Sequence, residues 1–314
     1  MTIEMLLGAG VLAAMLRLAT PILFAALGGV ITERSGVTNI ALEGCMLMGA
    51  FFAIFAADRT HSLGLAVAAG VLAGVFLAAL HALASVTFRA DQIVTGMALN
   101  ILALGLTSYL NFEVYGLTGT PADLPTIPVL PIPGLSGLPL VGDVLGRQSA
   151  LVWLAIVVTV LLQLYLFRTI PGLRLRAVGE HPRAADTVGI NVYATRYLAV
   201  LASGGLAALG GVYLSMAVAG SFTDNMTGGR GFIGLAAMIF GRGTPIGALV
   251  ASLIFGYGDA LSVTLQGTSI GDVRIPVQLL STIPYVLTIF AVAGFVGRSR
   301  MPAADGQPYE SEGH

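Results

Sequence analysis

A carboxylate in the middle of an apolar run is the first residue in this sequence whose chemistry and position demand an explanation. Glu43 stands in the stretch GVTNIALEGCMLMGAF, four residues after Asn39, a spacing that puts both side chains on one face of a helix. A carboxylate inside a membrane span costs on the order of 2.5 kcal/mol or more if it faces lipid, so Glu43 must face protein or water and have a partner. Two roles are open to it: hydrogen bonds to a neighbouring helix, including backbone amides at a helix break, or contact with a passing solute. Asn100 and Thr107, in a later apolar run, are neutral polar groups that can either bridge helices or give a polar solute transient hydrogen bonds. His81 and Asp259 also lie inside apolar runs. A lone histidine there serves as a packing residue or as a proton relay. Arg17, the only charge in the first run, either faces the bundle or snorkels to an interface.

Other chemistries are excluded by residue counts. Every basic residue is arginine, so neither a P-loop of the form GxxxxGK[ST] nor a lysine Schiff base can be built from this chain. The single cysteine, Cys45, rules out an internal disulfide, and the four scattered histidines show no metal-ligand spacing, so no metal site is expected. A net charge of −1 offers no basic stripe for nucleic acid.

The elements that must position these residues are membrane helices. Hydrophobic residues make up 56% of the 314 residues and charged residues 10%, far below the roughly 25% of soluble domains. The expected fold is therefore an all-α polytopic membrane protein, with room for about eight to ten helices of ~20 residues. The 41 glycines suit helices that pack closely in lipid. The N-terminal MTIEMLLGAG has no basic n-region and reads as the start of a retained span. Between Arg230 and Arg242 the apolar stretch is too short to cross alone and predicts a half-helix or re-entrant segment. Nine full spans would put the N-terminus outside; a re-entrant Phe232–Phe240, or a first segment split at Pro21, would return it to the cytoplasm.

Two long loops punctuate the spans of a membrane domain covering residues 1–297. Residues 113–149, rich in proline and glycine, cannot span and are expected outside the cell. Residues 168–196 hold five of the fifteen arginines, which assigns this loop to the cytoplasm. Within it AADTV can form a short helix, with Pro182 suited to its first turn and Gly189 to its end. The last span is expected at Val277–Val296, followed by a disordered tail, 298–314, kept cytoplasmic by Arg298 and Arg300.

Three stretches carry a family likeness: ERSGVTNIALEGCMLMGAF (Glu33–Phe51), AVGEHPRAADTVGINV (Ala177–Val192) and GRGFIGLAAMIFGRGTPIGALVASLIFG (Gly229–Gly256). Together they resemble the permeases of ABC importers in the branched-chain amino acid and simple-sugar superfamily, most of all the nucleoside-type permeases that work with a basic membrane lipoprotein. The likeness extends from Leu23 to Gly294. It implies a type II importer fold in a bacterial inner membrane and a heterodimer with a second permease. It also implies ATPase subunits that bind ATP and Mg, and an external lipoprotein that delivers the solute. The family's ATPase-coupling role falls on Glu180, His181, Pro182, Ala184, Ala185, Gly189 and Asn191; the family often has Asn where His181 stands. Asn39, Glu43, Asn100 and Thr107 are the candidate solute pathway. A competing reading is an ion- or proton-coupled transporter that works alone through Glu43, His81 and Asp259. Because the chain cannot form a P-loop, the purified chain by itself is expected not to hydrolyse ATP, and saturable hydrolysis in a phosphate-release assay would contradict the importer reading.

Overall fold

The computed structural model describes residues 8–116, 119–121, 123–131, 141–266, 269–270, 273–274, 282 and 301–310. Helix α1 spans Ala9–Arg34 and passes through Pro21 without interruption, so the first segment is not split there. Seven buried or half-buried non-helical residues follow, and α2 begins only at Leu42, running to Thr60. Asn39 thus precedes the helix instead of sharing a helical face with Glu43. Helix α3 (Leu63–Ala82) continues through a π turn, Leu83–Thr87. Helix α4 (Gln92–Tyr115) starts where the Asp91 carboxylate accepts the amides of Ile93 and Val94, both at 2.9 Å.

The proline-rich connection holds a small antiparallel hairpin, β1 (Val129–Pro131) with β2 (Arg147–Ser149), around the one-turn α5 (Val141–Leu145). No described residue between 119 and 149 belongs to a spanning helix. Helix α6 (Ala150–Arg168) leads into the arginine-rich stretch, most of which is helical: α7 (Ile170–Glu180), α8 (Pro182–Thr187) and the start of α9 (Val192–Val212). A π segment, Tyr213–Ala219, prolongs α9. The short α10 (Arg230–Phe240) and then α11 (Pro245–Thr264) complete the described helices. Of these, α1, α3, α4, α6, α9 and α11 are long and apolar enough to cross a membrane, while α10 has only 11 residues, as its sequence predicts. The span expected at Val277–Val296 lies outside the described residues, Thr282 apart.

Burial identifies the centre of the bundle. The apolar windows of α1 and α9 are 61% and 72% buried, against 28% and 22% for α3 and α4, whose outer faces carry Leu72, Phe76, Ile101 and Leu102 outward. Helix α9 packs on α1, α2 and α3, and α1 packs in turn on α10 and α11. Small residues permit this crowding: a Cβ on Gly49 would sit 2.5 Å from the carbonyl oxygen and 2.7 Å from the Cα of Ala208 on α9.

Residues 301–310, expected to be disordered, are seated against the bundle. The amide of Ala304 donates to the Gly179 carbonyl at 3.0 Å, and the buried Arg196 donates to the Gln307 carbonyl at 2.9 Å. Tyr309, 6% exposed, closes a small cluster with Val178, Ala185 and Val192. Composition could not show this, because the seat is made of residues more than a hundred positions away. The tail and the 168–196 stretch therefore lie at the same end of the bundle.

The close approach of α2 to α9 generates a stability test. Gly49→Leu should lower the melting temperature in detergent by several degrees, the response to a helix displacement costing about 2 kcal/mol. Gly105→Ala, at a position facing open space, should leave it unchanged. Equal melting temperatures for the two variants would contradict the packing.

Candidate functional site

The break between α1 and α2 gathers most of the polar side chains singled out in the sequence. Irregular backbone inside a membrane protein must find every hydrogen-bond partner within the protein, since lipid supplies none. Here side chains from two other helices, and Asn39 within the break, provide them. Gln92 on α4 accepts the Thr38 amide at 2.7 Å, and His81 on α3 places Nε2 3.2 Å from the Thr38 carbonyl. A carbonyl can only accept, so His81 Nε2 carries the hydrogen in that bond. The Asn100 amide is used at both ends, accepting from the Gly44 amide at 2.8 Å and donating to the Ile40 carbonyl at 2.9 Å. Asn39 accepts from the Ala41 amide at 3.0 Å and donates to Ser203 Oγ on α9, also at 3.0 Å.

Glu43, in the first turn of α2 and 5% exposed, reaches across to α10. One oxygen accepts from Thr227 Oγ1 at 2.5 Å and from the Gly229 amide at 2.8 Å; the other accepts from the Gly231 amide at 2.6 Å. Asn225, Gly228 and Gly229 adopt positive φ, which turns successive amides toward the carboxylate. The negative charge thus sits between two helix N-termini, where the peptide dipoles favour it and free N–H groups await a partner. At the other end of α10, Arg34 donates to the carbonyls of Gly243 (2.8 Å) and Arg242 (3.1 Å), matching the opposite sign of the dipole. The half-helix is held at both ends by charges.

The other candidates are placed differently. Thr107, buried on α4, returns its hydroxyl to the Ala103 carbonyl of its own helix at 2.8 Å and does not join the cluster around Asn39, Glu43 and Asn100. Asp259 on α11 lies within electrostatic reach of Arg230, at the start of α10. Arg17 is exposed on the outer face of α1, the position of a snorkelling side chain. Gln92, Ser203 and Thr227 went unremarked in the sequence because polar residues of this kind gain a role only from backbone that reaches them out of a distant segment.

At the end of the bundle, α8 forms where its sequence predicts, with Pro182 in its first turn and Gly189 just beyond it at φ +80. Its two alanines face opposite ways. Ala184 is exposed, whereas Ala185 is 3% exposed and packs on Val178, Val192 and Tyr309, so the expectation that both offer a contact surface is corrected for Ala185. Glu180 and His181 are exposed; a Glu180 oxygen accepts the Ala303 amide at 3.2 Å. Asn191 caps α9, accepting from the Ala194 amide at 2.9 Å. Val188, 74% exposed, leaves an apolar side chain beside α8 uncovered. Helix α7 went unforeseen, although Thr169 accepting the Gly172 amide and Pro171 in the first turn form a readable helix start.

The Glu43 clamp gives a direct test. Glu43→Leu strands three donors in a buried site, a loss on the order of 3 kcal/mol or more. It should sharply reduce the monodisperse peak in size-exclusion chromatography. Normal yield from that variant would show that the contacts at Thr227, Gly229 and Gly231 do not hold the fold.

Comparisons with known proteins show the family. A family model described as branched-chain amino acid transport system / permease component matches residues 11–292. The nucleoside ABC transporter permease protein NupC of Lactococcus lactis is 43% identical over 95% of this chain and 96% of its own length. The guanosine ABC transporter permease protein NupQ of Bacillus subtilis is 42% identical over 93% of both chains. Each of these bacteria has a second, more distant relative: NupB at 23% identity over 90% of this chain and 79% of its own, and NupP at 24% over 84% and 74%. An ABC transporter solved in an inward-facing conformation shares the fold, with a TM-score of 0.50 at 18% identity over 93% of this chain and 89% of that one. With a family match over nearly its whole length and relatives above 40% identity, the chain belongs to the permease components of the branched-chain amino acid transport family of ABC transporters.

Proposed function

We propose that this chain is the transmembrane subunit of an ATP-driven importer for nucleosides, and that α8 is the helix through which a separate ATPase subunit, holding ATP and Mg, acts on it. The observation that carries the reading is the form of α8: a short helix at the arginine-rich end, its back anchored by Ala185 and its front left open at Ala184 and Val188. The arginines favour a cytoplasmic position for that end and for the tail beside it, and the assembly proposed here sits in a bacterial inner membrane. Missing lysine leaves ATP hydrolysis to the partner. The nucleoside assignment rests on the names of the two relatives above 40% identity. That each of their organisms has a second, divergent relative supports a heterodimer of two permeases. An external lipoprotein that delivers the solute completes the proposed assembly.

The polar cluster fits this assignment better than coupling to ions. A residue that exchanges protons or sodium must change partners during transport, but Glu43 is committed to three donors and His81 to the Thr38 carbonyl. We assign Asn39, Glu43 and Asn100 to holding the helix break beside the solute path, and Thr107 to the wall of α4 farther along. Ion-driven uptake of a nucleoside by the single chain in liposomes, without ATP, would overturn the assignment.

The docking role of α8 is testable on its exposed face. Ala184→Arg should insert and melt like the parent chain, yet lose co-purification with its ATPase and lower ATP-dependent guanosine uptake roughly tenfold or more, as a disrupted central contact does. Retained co-purification and uptake would remove α8 from the mechanism.

A further inference from the structure

The tail contacts several elements, and its contacts converge behind α8. Tyr309 OH donates to the Asp186 carboxylate at 2.6 Å, and its ring lies 5.4 Å from that of Tyr193 on α9. Tyr193 OH donates in turn to the Tyr309 carbonyl at 3.3 Å. Upstream, Asp305 accepts from Thr38 Oγ1 at 3.3 Å, in the break between α1 and α2, and Gln307 takes the guanidinium of Arg196, only 2% exposed on α9. Alanines 303 and 304 bind the end of α7 through the Glu180 side chain and the Gly179 carbonyl. The outermost link, Arg89 with Glu310 at 2.7 Å, joins two exposed side chains and contributes little. The tail is therefore the piece of backbone that joins α8, α7, α9 and the α1–α2 break.

That arrangement has a mechanical consequence. Helix α8 has six residues, and the side chain it buries is a single alanine, so its own packing holds it weakly. A push on its outer face would tilt it unless something behind it resisted. Tyr309 stands there, tied to α8 through Asp186 and to α9 through Tyr193. We propose that the C-terminal tail is a brace for α8 and that Tyr309 is a positioning residue, making α8, α9 and the α1–α2 break move as one unit when the ATPase closes. The proposal rests on the assignment of α8 as the ATPase contact.

The experiment uses the full transporter, with both permeases, ATPase and binding lipoprotein, reconstituted in liposomes, and measures ATP hydrolysed per guanosine transported. Tyr309→Ala should keep the ATPase in the complex but raise that ratio roughly tenfold, the effect of losing one buried tyrosine hydrogen bond together with its ring contact. Tyr309→Phe keeps the ring but loses the hydrogen bond to Asp186, and should raise the ratio several-fold, less than Tyr309→Ala. Should Tyr309→Ala fail to insert, Asp186→Ala breaks the same hydrogen bond from the α8 side and is read the same way. An unchanged ratio in the inserted variant would overturn the brace, and so would loss of the ATPase from the complex, which would make the tail part of the docking surface. Ala184→Arg, run in parallel, separates the two ideas. If it leaves ATPase binding intact, the assignment of α8 fails; if it abolishes binding while Tyr309→Ala changes nothing, only the brace fails.

Discussion

Everything inside this bundle depends on the placement of one negative charge. The Glu43 carboxylate fills the gap between the starts of α2 and α10 and takes up amides that would otherwise be buried without partners. Remove it and α10 has no reason to begin where it does. With Arg34 on the carbonyls after its far end, the half-helix is pinned along its own dipole, which lets 11 residues keep their place where a full span would rely on its length. An ion pair would not serve as well, because a cation cannot satisfy N–H donors.

The same rule explains why the break between α1 and α2 is so heavily furnished with polar side chains. Non-helical backbone at Val37–Ala41 exposes donors and acceptors that water cannot reach, so Asn39, Gln92, Asn100 and His81 take over the work of the missing helical hydrogen bonds. Asn39 and Asn100 read as a solute pathway in the sequence because solutes and broken helices need the same functional groups.

Broken helices in a transporter also give it places to move. A continuous helix such as α1 transmits force along its length, and a break like Val37–Ala41 lets two rigid pieces change their angle. In this chain the break, α7, α8 and the start of α9 meet at one end of the bundle, where the arginines collect. Force applied there has a short route to α1 and α2, and the polar cluster sits along it.

The sequence by itself determined the membrane class, the short α10 and the α8 helix, because each of these is local: apolar length, a proline in the first turn, a glycine at the end. It also established that Glu43 must have a partner, and that amides at a helix break were one way to supply it. Only the tertiary structure decided which amides those are, that Asn39 lies before α2 instead of on it, and that Ala185 faces inward while Ala184 faces out. It also placed the tail, whose few apolar residues point to disorder, in a seat built from Gly179, Asp186, Tyr193 and Arg196. The physical reason is common to all of these. A hydrogen bond or a buried face is a property of two segments, and the partners here lie between about 50 and 190 residues apart in the chain, beyond the reach of any pattern in one of them.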